Sequence, residues 1–286
     1  MIIVDYSGIA IATIAINREN EEGMLRHMIL NSLRMYNAKF RGEYGQMILA
    51  CDGAKNWRKD YYPQYKANRK KDRDSSDFDW AEAFRIMHLV REEIKDNFPY
   101  KVIHIDKCEA DDVIGTLVES SNDFGGTGEK IMIVSSDGDF KQLQKYNNVK
   151  QFSPLLKKLV VEEHPHTHLT DKVLRGDAGD GVPNVLSDDN VLVEGRRQTP
   201  LSKKKREAIL NSLDIMSKEN YQESDWYRNY QRNSTLIDLS KTPKDIKEQI
   251  INSFDSQDPW SNKGKVFPYL VAKNCQQLIN DVQEFL

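Results

Sequence analysis

"IMIVSSDGDFKQL", residues 131–143, runs an apolar stretch straight into two carboxylates, Asp137 and Asp139, with one glycine between them. Two like charges about 4 Å apart repel by roughly 4 kcal/mol at an effective dielectric near 20. Water, a basic partner or a metal ion has to offset that cost. The same arrangement recurs along the chain. "MIIVD" ends at Asp5, "QMILACD" at Asp52, and "YKVIHID" reaches Asp106 with "KCEADD" directly after it. Short, near-continuous apolar runs are the pattern of strands buried on both faces of a parallel sheet. Between them lie segments with helical spacing. Residues 23–40 set Leu25, Met28, Ile29, Leu33 and Met35 on one broad face, and residues 79–98 do so with Ala83, Ile86, Met87, Val90 and Ile94. This alternation predicts an α/β fold: a parallel central sheet with helices on both faces. Ligand crevices in such sheets lie outside the carboxyl ends of the strands.

That rule brings Asp5, Asp52, Glu109, Asp111, Asp112, Asp137 and Asp139 to one edge. Singly, each has an ordinary explanation. Asp111 and Asp112 open a helix-like "EADDVIGTLVESS", where acids suit the dipole, and Asp137 can cap the turn before "FKQL". Seven carboxylates at four strand ends are poorly explained by caps. Hard divalent cations, above all magnesium, are the natural counter-charge. Further on, "LRGDAGDGVPNV" adds Asp177 and Asp180 in a glycine-rich turn. This second group could complete a two-metal site, in which ions about 3.5–4 Å apart clamp the attacking and leaving oxygens of a phosphoryl displacement.

The 286 residues, 39% hydrophobic and 30% charged, suffice for one sizeable core or a core plus a smaller domain, and the net charge of −3 hides local contrasts. Residues 54–73 carry Lys55, Arg58, Lys59, Lys66, Arg69, Lys70, Lys71 and Arg73 against Asp60 and Asp72, interleaved with Trp57, Tyr61, Tyr62 and Tyr65. Cations contact phosphates and rings stack on unpaired bases; the plain alternative is a solvated loop. A second basic run, "RRQTPLSKKKR" (196–206), has no acid at all. Acids suited to cations beside two basic runs point to a nucleic-acid phosphodiester. No stretch approaches 18 apolar residues, so no membrane span is expected. The N-terminus reads as a strand rather than an export signal, and three cysteines without metal-like spacing suit a reduced, cytoplasmic protein. "NST" at Asn233 reads as a chance glycosylation match. "GGTGEK" (125–130) lacks phosphate-loop spacing, and "HPHTH" (164–168) lacks partners to complete a transition-metal site.

"IVDYSGIA", "CDGAK", "YKANR", "KCEADDVI", "SSDGDFKQL" and "LRGDAGDGVP" resemble, in order, the motifs of the flap endonuclease (5′ nuclease) family, and "VEGRRQTP" (193–200) resembles a segment of its phage ribonuclease H subgroup. The resemblance implies a 5′ to 3′ exonuclease and flap endonuclease using two Mg²⁺ ions, with Mn²⁺ able to substitute. Its implied substrates are branched or 5′-ended duplex DNA and RNA–DNA hybrids, and its implied role is removal of primer RNA in phage replication. Carried over by motif, Asp5, Asp52, Glu109, Asp111, Asp112 and Asp137 form the first metal set, and Asp139, Asp177 and Asp180 the second. Asp137, Lys66 and Arg69 are the implied catalytic residues, the last two near the scissile phosphate. Arg58, Lys59, Tyr65, Lys66, Arg69, Lys70, Lys203, Lys204, Lys205 and Arg206 are the implied nucleic-acid contacts. A monomer is implied, meeting a phage single-stranded-DNA-binding protein and a sliding clamp. Gly181, Asn184 and the stretch after them depart from the usual glycine-rich helix–turn–helix element, which puts the duplex contacts and a monovalent-cation site in doubt.

The expected organisation is an α/β catalytic domain over 1–165, with 54–73 as an arch-like loop and a hairpin at "VKQFSPLLKKLVVEE" (149–163). A helical DNA-binding region follows over 166–286, with a helix–turn–helix-like segment at 170–210. Thr242 is the expected N-cap of a helix beginning at Pro243, and 267–286 closes the chain as one or two helices. Two other enzyme classes leave acids unused: a Toprim domain does not need Asp5, Asp52, Asp177 or Asp180, and a haloacid-dehalogenase phosphatase carries its DGD on the first strand. The non-enzymatic alternative is a branched-DNA-binding module with structural metal sites.

Overall fold

The four apolar runs form the centre of a six-stranded sheet in the computed structural model, which describes residues 1–17, 21–69, 76–122, 128–215 and 224–286. The strands are β1 (Ile2–Asp5), β2 (Met47–Cys51), β3 (Lys101–His104), β4 (Ile131–Val134), β5 (Val149–Ser153) and β6 (Lys158–Val160), in the order β3-β2-β1-β4-β5-β6. All neighbouring pairs are parallel except β5 and β6, which form the expected hairpin. Ile3 lies between Ile48 and Ile133, Val4 between Leu49 and Val134, and all six side chains are fully buried. Burial on both faces is why these strands show no polar alternation.

Helices α1 (Tyr6–Asn17), α2 (Glu22–Tyr44), α3 (Trp57–Tyr61), α4 (Trp80–Asn97) and α5 (Ala110–Asn122) follow. Side chains of Glu21 and Asp79 accept backbone N–H bonds at the starts of α2 and α4. Leu25, Ile29, Leu33, Ile86, Val90 and Ile94 enter the core as the spacing predicts. Met35 does not; two residues beyond Leu33 is about 200° around a helix, and the side chain is exposed.

The chain divides into two compact units that differ from the expected boundary. One joins 1–55, 76–162 and 243–286; the other joins the described part of 56–75 to 163–242. In the first unit, α9 (Lys244–Asp255), α10 (Val266–Ala272) and α11 (Gln276–Ile279) pack beside the sheet instead of extending a separate helical domain. A buried ion-pair network holds them. Arg26 Nε donates to Glu93 Oε2 at 2.7 Å, Tyr269 Oη donates to the same oxygen at 2.8 Å, and Lys273 lies 2.5 Å from Oε1. Phe98 adds edge contacts to Tyr269 and Phe285. Thr242 is not the cap of α9. Pro243 occupies that position, and the Thr242 hydroxyl donates to Leu239 O in the preceding turn.

In the second unit α6 (Pro165–Arg175) and α7 (Lys203–Ile215) are separated by all of 176–202. A helix–turn–helix joins its helices by three or four residues, so the segment at 170–210 is not one in the compact sense. The long connection is fastened by α8 (Asp225–Ile237). Asn229 Nδ2 donates to Val185 O and Ser187 O, Arg232 to Pro183 O, and Asn233 Nδ2 to Val173 O at 2.8 Å and Pro183 O at 2.9 Å. Asn233 is wholly buried, so its sequon is no acceptor for a glycan. Cys51, Cys108 and Cys275 are free and buried, and no described helix is long and apolar enough to cross a membrane.

Replacing Asn233 by Ala takes the side-chain donor from Val173 O, while Pro183 O keeps Arg232, at roughly 1–3 kcal/mol for the unsatisfied group. We expect a loss of about 2 kcal/mol in urea unfolding of the second unit. A midpoint equal to that of the parent would show that α8 does not carry the 176–202 connection.

Candidate metal and phosphate sites

Because β1, β2, β3 and β4 run parallel, the residues after them emerge at one edge. Asp5 closes β1. Its Oδ1 accepts from Gly8 N at 2.8 Å and its Oδ2 from Ser135 Oγ at 3.0 Å. A Cβ on Gly8 would fall 2.3 Å from Asp5 Oδ2, so only glycine leaves the carboxylate its place. Asp52 Oδ1 accepts from Ala110 N at 2.8 Å, at the start of α5, and Gly53 N donates to Cys108 O beside it. Asp137 Oδ1 accepts from Asp139 N at 2.9 Å, at the head of the 3-10 helix Gly138–Lys145, while Ser135 Oγ accepts from Asp137 N. One serine hydroxyl thus touches both acidic strand ends.

Burial pushes the Asp5 carboxyl up to about 6, the negative charge of Asp52 adds to it, the Gly8 and Ser135 hydrogen bonds pull back, and Asp137 adds a smaller upward push. None of Asp5, Asp52 and Asp137 has an ion-pair partner among the described residues. An acid trio beside glycines, with Asp5 desolvated, Asp52 and Asp137 exposed and no cationic side chain paired to it, fits a hard divalent ion with oxygen ligands. As the side chains stand, however, no group of three or more acids, histidines or cysteines among the described residues is gathered tightly enough to hold one. That finding covers "HPHTH" as well. One oxygen of each of Asp5, Asp52 and Asp137 is instead held by a backbone N–H.

The other expected ligands of this edge stand differently. Asp112 is fully buried and accepts from Glu109 N at 2.9 Å, which makes it a fastener of the α5 start. Glu109 is buried, and Asp111 and Asp139 are half-buried.

In the second unit the acids already have cations. Burial pushes the Asp177 carboxyl up, but Lys172, 2.9 Å away, and backbone N–H bonds more than reverse this, leaving it below the usual carboxylate range. Asp180 lies 2.5 Å from Arg69 and 3.6 Å from Lys66, and it accepts from Tyr65 Oη at 2.9 Å. Lys66 N also donates to Asp180 O at 2.8 Å, with Lys66 at φ +55, a conformation side chains other than glycine rarely adopt. Gly181 departs from the family pattern for a local reason: at φ +74, its Cβ would stand 2.8 Å from Gln64 O.

Several expected nucleic-acid contacts are corrected here. Tyr65 is buried with Tyr62, Val173, Val182, Leu236 and Ile237, and cannot stack on a base; Tyr61 is the half-exposed ring. Arg58 is fully buried and donates to Leu236 O at 2.9 Å. Arg206 is turned onto Asp171. Lys59, Lys203, Lys204 and Lys205 are exposed, as expected, and Lys70 lies outside the described residues. Sequence reasoning missed Gly8 and Ser135, and it missed Asn229, Arg232 and Asn233, although the "NST" it set aside marked one of them.

A family model described as "5′-3′ exonuclease, N-terminal resolvase-like domain" matches residues 1–172, and one described as "T4 RNase H, C terminal" matches 164–285. The ribonuclease H of Enterobacteria phage T4 is 38% identical over 296 residues, spanning 99% of this chain and 95% of that protein. DNA polymerase I of Rhizobium leguminosarum is 30% identical over 185 residues, 57% of this chain and 17% of the polymerase. Among solved structures, zinc-bound bacteriophage T5 5′-exonuclease matches with a TM-score of 0.64 at 17% identity, covering 89% of this chain and 98% of that one. A T5 flap endonuclease in a pseudo-enzyme-product complex with DNA and metal ions matches with a TM-score of 0.57 at 17% identity, covering 99% and 98%.

The raised Asp5 carboxyl makes a stability prediction. Its folded value, about 6, exceeds the ordinary 3.8, so the folded chain holds that proton more tightly than the unfolded one. The resulting cost is absent below about pH 4 and complete above about pH 6. In chelator at pH 7.5, Asp5→Asn should therefore unfold later than the parent by about 2–3 kcal/mol, at ~1.4 kcal/mol per pH unit. The gap should close on acidification to pH 4. A gap that does not depend on pH would sink the argument.

Proposed function

The chain belongs to the 5′-3′ exonuclease family of metal-dependent nucleases, and from that we infer a flap endonuclease and 5′ to 3′ exonuclease that hydrolyses phosphodiesters in RNA–DNA and DNA duplexes using Mg²⁺ and removes RNA primers in phage replication. The observation that carries this reading is the acid trio at the sheet edge, in which the charges of Asp52 and Asp137 both act on Asp5 and no member has a cationic partner among the described residues. Asp5, Asp52 and Asp137 would hold the first ion, with Glu109 and Asp111 behind them. When bound, magnesium supplies charge neutralisation at the phosphodiester and a more acidic water.

The chain's own residues do the positioning. Ser135 orients Asp5 through its hydroxyl and Asp137 through its backbone N–H. Lys66 and Arg69 are the phosphate contacts we assign to the reacting strand, where fixed positive charge stabilises the developing oxyanion. Exposed Lys203, Lys204 and Lys205 hold duplex backbone through sequence-independent attraction. Within the second unit, an ion on Asp177 and Asp180 has competitors. Lys172 already holds Asp177, and Lys66 and Arg69 hold Asp180. Such an ion is bound more weakly than the first.

The test is incubation with a 5′-labelled flap or RNA–DNA duplex, with and without Mg²⁺. Mg²⁺-dependent release of 5′ fragments supports the nuclease; tight retention without cleavage favours a binding module. Asp137→Asn should abolish single-turnover cleavage at every Mg²⁺ concentration while preserving DNA binding. Asp180→Asn should leave residual cleavage that rises with Mn²⁺, because it touches only the weaker ion. Lys66→Ala should slow single-turnover cleavage about 100-fold or more, the scale of losing one fixed oxyanion contact, with a much smaller change in duplex affinity. If Lys66→Ala loses affinity and keeps its rate, Lys66 has been given the wrong role.

A further inference from the structure

Four residues other than glycine hold a left-handed backbone among the described residues: Lys66, Lys107, Lys157 and Asn274. That conformation costs any residue with a Cβ stability that glycine does not lose, and asparagine is its ordinary substitute. Elsewhere the chain meets the same demand with glycine, as at Gly45, Gly176 and Gly195. Three lysines in strained turns are therefore unusual. Lys66 has a role in the nuclease reading; Lys107, at φ +61, and Lys157, at φ +54, have none.

Both lie at the acidic edge. Strands β1 to β5 are parallel, so the turns after β3 and β5 emerge on the same side as Asp5, Asp52 and Asp137. In the order β3-β2-β1-β4-β5 the three acids follow the middle strands and the two lysines follow the outer ones. Each outer strand is two steps from β1, about 10 Å at the usual strand spacing. Both lysines are exposed, and Lys157 has no ion-pair or hydrogen-bond partner for its side chain among the described residues.

The turns that carry them are tied to the neighbours of the acids. Gly53 N donates to Cys108 O at 2.7 Å, and a Cβ on Gly53 would stand 2.3 Å from Ile105 O, so the turn at 105–108 is pressed onto the residue after Asp52. On the other side Leu155 N donates to Ser136 Oγ at 3.0 Å, Leu156 N donates to Ser153 Oγ at 3.2 Å, and the two serine hydroxyls pair at 2.9 Å. Gln151 Nε2 donates to Asp137 O at 2.6 Å. Contacts of this kind hold a backbone in an unfavourable conformation, and such strain collects at functional positions. A metal ion neutralises one phosphodiester over the carboxylates. The phosphates before and after it still face negative charge, which fixed cations at the two ends of the edge offset.

We propose that Lys107 and Lys157 contact the reacting strand, each at a phosphate on one side of the scissile bond, and so set which phosphodiester lies over the acid trio. The proposal rests on the nuclease reading and adds to it two cations carried by the sheet unit itself.

The test is single-turnover cleavage of a 5′-labelled flap duplex with saturating Mg²⁺, its products resolved to one nucleotide, alongside urea unfolding of the full chain. Lys107→Gly and Lys157→Gly relieve the backbone, so each should unfold no earlier than the parent. Each should nonetheless cleave about tenfold more slowly or worse, the scale of one charge-assisted hydrogen bond, and scatter its cuts over neighbouring phosphodiesters. Lys107→Arg and Lys157→Arg should keep the parent's rate and cut position. Asn274→Gly, which relieves the same strain in the turn before α11, should cleave as the parent does. Glycine variants of the two lysines that keep the parent's rate and cut position overturn the proposal. So does a urea midpoint below the parent's, which makes the side chains fasteners of their turns. A parent chain that cleaves nothing with Mg²⁺ sinks the nuclease reading and these contacts with it. A parent that cleaves, with both glycine variants cleaving alike, sinks the contacts alone.

Discussion

Parallel strands cannot distribute the charges that follow them: whatever side chain comes after each strand emerges at the same edge. Here those side chains are carboxylates, and their mutual repulsion is the constraint around which the first unit is arranged. Each acid is met by the start of a helix. Asp5 takes an N–H from the first turn of α1, Asp52 from the first residue of α5, and Asp137 from the 3-10 helix it caps. Helix starts carry unsatisfied N–H groups and partial positive charge, so they are the least costly neighbours the backbone can offer an anion. They do not suffice. Burial, and after it the charge of Asp52, still push the Asp5 carboxyl up to about 6, which marks desolvation and repulsion left over after the backbone has contributed what it can. A fold selected for stability alone would replace one of these acids.

The second unit resolves its acids the opposite way. Lys172 meets Asp177, and Tyr65, Lys66 and Arg69 converge on Asp180. These contacts exist because 56–69 is anchored at its other side. Buried Arg58 reaches Leu236 O, and Tyr62 Oη donates to Asp189 O at 2.6 Å. The tight approach of Gln64 to Gly181 and the left-handed backbone at Lys66 are consequences of that anchoring. Strained backbone persists where surrounding contacts overdetermine it, and functional positions are where such strain collects.

The sheet, its flanking helices and the β5–β6 hairpin were legible because each rests on local periodicity. Both-face burial leaves a continuous apolar run, and α2 and α4 repeat their buried residues at helical spacing. What stayed illegible depends on partners distant in sequence. A basic, aromatic run looks uniformly exposed until α8 supplies a carbonyl for Arg58 and apolar neighbours for Tyr65. Nothing in the spacing of Glu93 announces that it will gather Arg26, Tyr269 and Lys273 and so draw 243–286 to the sheet. Asp112 shows the limit within a single motif. Its neighbours resemble ligands, yet total burial and the Glu109 N–H give its carboxylate a helix to hold. The acid trio itself was readable as a set of residues; its glycine and serine supports were not, since neither residue type carries charge.

The start of α7 carries the same physical signature as the sheet edge with the sign reversed. Lys203, Lys204 and Lys205 fill its first turn, and no acid is there. Cations at a helix N-terminus oppose the dipole, each by about 0.3–1 kcal/mol at an exposed site. Ser202 gives only modest relief by accepting from Lys205 N at 3.3 Å. A helix under selection for stability alone would place acids in this turn, as α5 does with Asp111 and Asp112. Exposed lysines and a helix N-terminus instead add their positive fields at one surface, which disfavours the isolated helix and favours a polyanion. Repulsion among acids and repulsion of lysines by a dipole are both relieved by a ligand of opposite charge. Their occurrence in one chain is what metal-assisted chemistry on a phosphate backbone requires: one surface short of cations, another short of anions.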